Sequence, residues 1–96
     1  MQRLNDVFKE FAKTNDVFKR LYVNVIAKDE FLKIIGKPFN EYCRVKNFYN
    51  GTVIIECDDN IYVTELNFFK EKIREELNKK IGFYTVNKVV IKLKRY

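Results

Sequence analysis

Lys79, Lys80, Lys88, Lys92, Lys94 and Arg95 fall within the last eighteen positions of this 96-residue chain, and no acid stands among them. They account for the whole net charge of +6, because residues 1–78 carry thirteen Lys and Arg against thirteen Asp and Glu. A cluster of one sign raises a local potential that attracts polyanions. The chemistry on offer is therefore charge recognition, to which Tyr84 or Tyr96 could add a stacking ring. The plainer alternative is a solvated strand face whose lysines do no more than keep the chain soluble.

Catalytic chemistry finds little to work with. The chain has no histidine, so the usual general base near neutral pH is missing, and with it the common Ser-His and Cys-His arrangements. Asp58 and Asp59 could hold a cation or share a proton, but they stand just before a long periodic run, where carboxylates suit a helix start. The three glycines fit no phosphate-loop or dinucleotide pattern. Cys43 and Cys57 lack CxxC spacing and have no histidine to join them, which argues for two reduced core thiols and against zinc. No enzyme activity, metal or cofactor is expected. The start, Met-Gln-Arg-Leu-Asn-Asp, lacks the apolar run of a secretory signal, and no window approaches the ~20 apolar residues of a membrane span. A cytoplasmic protein without a membrane partner is the expectation.

The elements that must position these groups can be read from periodicity. At 47% apolar and 33% charged, with fifteen aromatic residues, residues 1–96 make one globular domain. Asn-Asp-Val-Phe-Lys occurs at 5–9 and again at 15–19. Two copies are too few for a solenoid, whose units run ~20–50 residues, and each copy is better read as a helix start. Leu4, Val7, Phe8 and Phe11 give one helix an apolar stripe, and Phe18, Leu21, Tyr22 and Val25 give a second. Asp29 could cap a further stretch through Phe31, Leu32 and Ile35 to Gly36. Periodicity leaves open whether two or three helices result.

Residues 42–58 read as a hairpin with two competing registers. A two-residue Asn50-Gly51 loop sets Arg44 opposite Cys57 and mixes polar with apolar groups on both faces. A three-residue loop, Tyr49-Asn50-Gly51, pairs Val45 with Ile55 and Cys43 with Cys57 on one face and Arg44 with Glu56 on the other, so it is the register chosen. Residues 61–80 form one long helix whose core arc is Tyr62, Leu66, Phe69, Ile73 and Leu77, closed at Gly82. Phe68 and Ile61 lie off that arc as an apolar pair, either part of a partner surface or covered by the upstream helices. In the last strand Val89, Ile91 and Leu93 face inward, and Lys88, Val90, Lys92 and Lys94 outward. The result is an α+β fold of order α-α-β-β-α-β. It has two layers: a three-stranded sheet, with a parallel crossover between its last two strands, and helices on one face.

Five short segments in this order resemble the DciA family over roughly residues 17–93. They are Phe31-Leu-Lys-Ile-Ile-Gly36, Gly51-Thr-Val-Ile-Ile55, Tyr62-Val-Thr-Glu-Leu66, Leu77-Asn-Lys-Lys-Ile-Gly82 and Val89-Val-Ile-Lys-Leu93. Phe31 and Tyr62 stand where tryptophan is common in that family. The resemblance implies a small bacterial replication protein that binds the replicative DNA helicase and single-stranded DNA and assists helicase loading. It also implies a domain similar to type II K-homology domains, although Gly36-Lys37-Pro38-Phe39 lacks the second glycine of their Gly-x-x-Gly clamp. On that reading Lys79, Lys80, Tyr84, Lys88, Lys92, Lys94 and Arg95 would contact nucleic acid, and Phe68 and Ile61 the helicase. Many relatives continue into a flexible tail that engages the helicase, whereas this sequence stops at Tyr96; if the tail matters, the chain either contacts the helicase through its folded domain or represents a divergent branch. The alternatives are an RNA-binding module of K-homology type and a purely protein-binding adaptor.

Overall fold

The computed structural model describes residue 10 and residues 14–94. The first expected stripe, the first copy of the repeat, Arg95 and Tyr96 lie outside the described residues. Helix α1 runs Asp16–Ile35, with the Asn15 side chain accepting from the Phe18 N–H at 2.9 Å, as the second copy of the repeat implies. Asp29 opens no new helix. It sits inside α1, which continues unbroken until Gly36 at φ 63°. The buried stripe of α1 is Val23, Ala27 and Phe31, while Leu21 and Val25 are exposed, a correction to the stripe read from sequence. Two apolar stripes run along one helix, and only tertiary packing selects between them: α1 lays the Val23–Phe31 side against β1 and α4.

A short helix α2, Phe39–Tyr42, leads into β1, Cys43–Tyr49, which pairs antiparallel with β2, Thr52–Cys57. The hairpin uses both candidate registers. Near the turn Tyr49 faces Thr52 and Phe48 faces Val53, so the loop has two residues; Asn50 at φ 48° and Gly51 at φ 77° meet the requirement of a type I′ turn. Farther along, Val45 faces Ile55, Arg44 faces Glu56 and Cys43 faces Cys57, as the longer loop would have set them. A bulge at Lys46 absorbs the one-residue difference. The three-residue loop is thus corrected, although the cross-strand pairs for which it was chosen are present. The bulge turns Lys46 and Asn47 outward together, and so keeps Phe48 inward along with Cys43 and Val45.

The expected long helix is two helices, α3 at Asn60–Asn67 and α4 at Lys70–Ile81. Asp59 caps α3 through the Ile61 N–H at 3.0 Å, and Gly82, at φ 95°, closes α4. At the break the chain tightens: the Phe68 N–H reaches Glu65 O and the Phe69 N–H reaches Leu66 O, both three residues back. The Asn67 side chain meanwhile donates to the Val63 carbonyl at 2.8 Å, a local alternative to regular helix bonding. Leu66, Ile73 and Leu77 reach the core, but Phe69 is turned out to 51% exposure, contrary to the uninterrupted arc.

Strand β3, Lys88–Leu93, pairs parallel with β2, giving the sheet order β1-β2-β3. Val89 is buried and Ile91 packs against the core, while Leu93, at the strand end, is 46% exposed where an inward position was expected. One core cluster joins α1, α3 and α4 to the near face of all three strands. The observed order is α-α-β-β-α-β with the third helix broken, and helices cover one face of the sheet. Among the described residues no helix is long and apolar enough to cross a membrane.

Candidate nucleic-acid interface

The helices cover one face of the sheet, and strand alternation sends every second side chain to the other. On that open face β1 places Arg44 and Lys46, β2 places Ile54 and Glu56, and β3 places Lys88, Val90 and Lys92. Glu56 lies between Arg44 and Lys92 in the register. Arg44 donates from Nη1 to Glu56 at 3.4 Å and from Nη2 to Asp58 Oδ1 at 2.7 Å, and Lys46 Nζ stands 3.5 Å from the second Glu56 oxygen. The Asp58 carboxylate pushes the Arg44 pKa up, fixing its charge. Among the described residues Lys88 and Lys92 have no carboxylate within ion-pair distance.

Four bases therefore meet two carboxylates, and Glu56 serves as the hub that holds Arg44 and Lys46 in place. Lys46, Ile54, Glu56, Lys92 and Leu93 bound a shallow depression of about 650 Å³. Its lysines sit on both sides of an apolar floor at Ile54. Such a surface can hold phosphates by charge while a sugar or base edge lies over the floor, with no group that reads sequence.

The residues expected from sequence do not all converge here. Lys88 and Lys92 are exposed on β3, Lys94 follows it half-buried, and Arg95 lies outside the described residues. Lys79 and Lys80 stand at the C-terminal end of α4, in the helical layer, and Lys79 is tied to Glu76 at 3.3 Å. Tyr84 is exposed but engaged: Arg74 donates to its hydroxyl at 3.2 Å and lies 5.9 Å from its ring centre. Phe68, at 82% exposure, and Ile61, at 58%, are both exposed, so the described upstream helices do not cover them.

Arg44 and Lys46 were missed. Charge counted along the chain hid them, because residues 1–78 sum to zero, and two of the acids that balance them there, Glu56 and Asp58, are the ones that hold them in the fold. The strand alternation that set Arg44 opposite Glu56 was the available signal. Two asparagines were also missed. Asn24 of α1 donates to Phe48 O at 3.4 Å and accepts from its N–H at 2.9 Å, closing the outer edge of β1 next to the bulge. Asn78 of α4 accepts from the N–H groups of Thr85 and Val86 at 2.9 and 2.8 Å and donates to Val86 O at 3.0 Å. That clamp fixes the approach to β3, whose first amides, Asn87 and Lys88, donate to Gly51 O at 2.8 and 3.2 Å.

No group of three or more His, Cys, Asp or Glu suited to a metal occurs among the described residues. Cys43 and Cys57 are free, buried and paired across β1 and β2, and burial pushes both thiols up from their ordinary pKa. The family model described as Dna[CI] antecedent, DciA, matches residues 3–91. No curated protein matches the chain.

Proposed function

Because the chain belongs to the DciA family, whose association with replication and helicase loading makes it a DNA replication accessory protein, we propose that it is a non-enzymatic adaptor between the replicative helicase and single-stranded DNA. The observation that carries the strand-binding half is the open sheet face, where Lys46, Lys88 and Lys92 project from a surface with no helical cover. They would hold phosphates weakly and without sequence preference. Lys94 would extend the track past the end of β3, whereas Lys79 and Lys80, in the helical layer, and Tyr84, held by Arg74, stand apart from it. Ile61 and Phe68 supply the apolar anchors that a folded-domain interface needs near its centre. Hydrolysis of ATP would belong to the helicase, and this chain would only position the two partners.

Anisotropy of a labelled single strand, titrated at several salt concentrations, tests the first half. Three phosphate contacts give a log–log slope of about −2, at roughly −0.7 per phosphate, and replacing Lys46, Lys88 and Lys92 by Gln should remove most of it. Binding that survives this change places the strand elsewhere. Tighter binding of the matching RNA strand would favour the RNA-module reading, and no strand binding at all would leave a protein adaptor. Pull-down with the replicative helicase tests the second half. Phe68→Ser should weaken association about tenfold or more, equivalent to ~1.4 kcal/mol, with the thermal midpoint unchanged. Unaltered association in the folded variant refutes the Phe68 interface.

A further inference from the structure

The break between α3 and α4 does more than expose Phe68. Had the helix continued, Phe69 would have joined the core arc; turned outward, its ring instead forms one wall of a groove. Ile34, Ile35, Phe39, Leu66 and Ile73 complete the apolar lining, and Lys72 is its single charged member. Leu66 and Ile73 are each 1% exposed and make a rigid floor. Neither Phe68 nor Ile61 takes part, so this surface is separate from the anchor pair and from the cationic sheet face.

The groove measures about 180 Å³. Small-molecule sites run to roughly 300–1,000 Å³, so this one has room for an anchoring side chain and not for a metabolite. Lys37 stands two residues before Phe39 and Lys70 directly after Phe69, and with Lys72 they outnumber Glu65, which precedes Leu66, and give the chain around the groove a positive balance. Among the described residues none of these three lysines has a carboxylate within ion-pair distance, whereas the neighbouring Glu71 is held by Arg74 at 3.0 Å. A second copy of the chain fits poorly, because a two-fold contact would bring two such positive rims together. Nucleic acid fits poorly as well, because the apolar lining offers no partner to base edges.

We propose that this groove receives an acidic linear segment of a partner protein. One large apolar side chain seats between Phe39 and Phe69, and carboxylates beside it meet Lys72. Anchor residues buried in pockets carry most of the energy of such contacts, and the flanking charges set orientation and on-rate. The partner need not be the helicase, and the inference stands apart from the helicase reading.

Anisotropy of a fluorescent synthetic peptide with one phenylalanine among aspartates, titrated with the full chain, tests the inference. The peptide is expected to bind saturably. Replacing its phenylalanine by alanine, or its aspartates by lysines, should each weaken binding at least tenfold. Lys72→Glu, an exposed change that leaves the fold intact by thermal melt, should weaken the acidic peptide to a similar degree and strengthen the lysine version. Phe68→Ser should leave the peptide bound, so that failure of the helicase reading and failure of this one are told apart. The inference is overturned if the acidic peptide does not saturate, if the alanine version binds as well, if Lys72→Glu changes nothing, or if an unlabelled DNA strand displaces the peptide competitively.

Discussion

On the helix side of the sheet, Cys43, Val45, Phe48, Val53, Ile55, Cys57 and Val89 are each no more than 5% exposed; on the other side, Lys46, Lys88 and Lys92 stand in water. The same backbone ladder holds both faces, so their difference lies in what covers them. Burial of apolar area and close packing make the first face intolerant of change. Screening by solvent makes the charge pairs of the second worth little to the fold, which leaves its side chains free to serve binding. The contrast separates residues that keep the sheet in place from residues that use it.

The largest effect should come from the covered face. Leu77, fully buried on α4, should lose about 2–5 kcal/mol on change to Ala, measured by urea unfolding. A loss below ~1 kcal/mol would mean that the helices do not seal that face. Asn78→Ala comes next. It strips three hydrogen bonds from the approach to β3 and should cost about 1–3 kcal/mol, by leaving buried amides unpaired. Hydrogen exchange should then quicken in Thr85 and Val86 before it does in β1. If both regions exchange equally, the clamp is not specific to β3.

The thiol pair sharpens the comparison through pH. Burial favours the neutral form of Cys43 and Cys57, so the folded chain holds protons that the unfolded chain gives up. The stability this contributes is fully present below the ordinary thiol range near pH ~8.5 and is lost as pH rises above it. Urea midpoints at pH 7.5 and 10 should show a fall that shrinks when both cysteines are replaced by Ala. An equal fall in that variant would assign the effect to lysine and tyrosine. Smallest of all should be the triple change of Lys46, Lys88 and Lys92 to Gln, within about 0.5 kcal/mol per site. A larger loss would make the open face part of the structure, and the contrast between the faces would fail.

Chain-local features were legible in the sequence because their causes lie within a few residues. Asn15 and Asp59 cap the helices that follow them, and Gly36 and Gly82 end α1 and α4 at positive φ, Gly82 in the left-handed helical conformation, as their positions predicted. The cross-strand partners Cys43–Cys57 and Val45–Ile55 and the outward alternation of Lys88 and Lys92 follow from a period of two. Other features depend on surfaces far apart in sequence. The choice between two apolar stripes on α1 rested on which one met β1 and α4. The bulge at Lys46 reconciled a two-residue turn with an apolar set that demanded the other register. The break at Phe68 and Phe69 removed a ring from an arc that periodicity alone would have continued. Asn24 reaches the Phe48 backbone 24 residues on, and Asn78 reaches the Thr85 and Val86 backbone seven and eight residues on, beyond the reach of the helix's own pattern. Sequence determined which elements form and what ends them, since those energies are local; tertiary structure decided which side chains are buried and which remain free, since burial is a property of neighbours that only folding brings together.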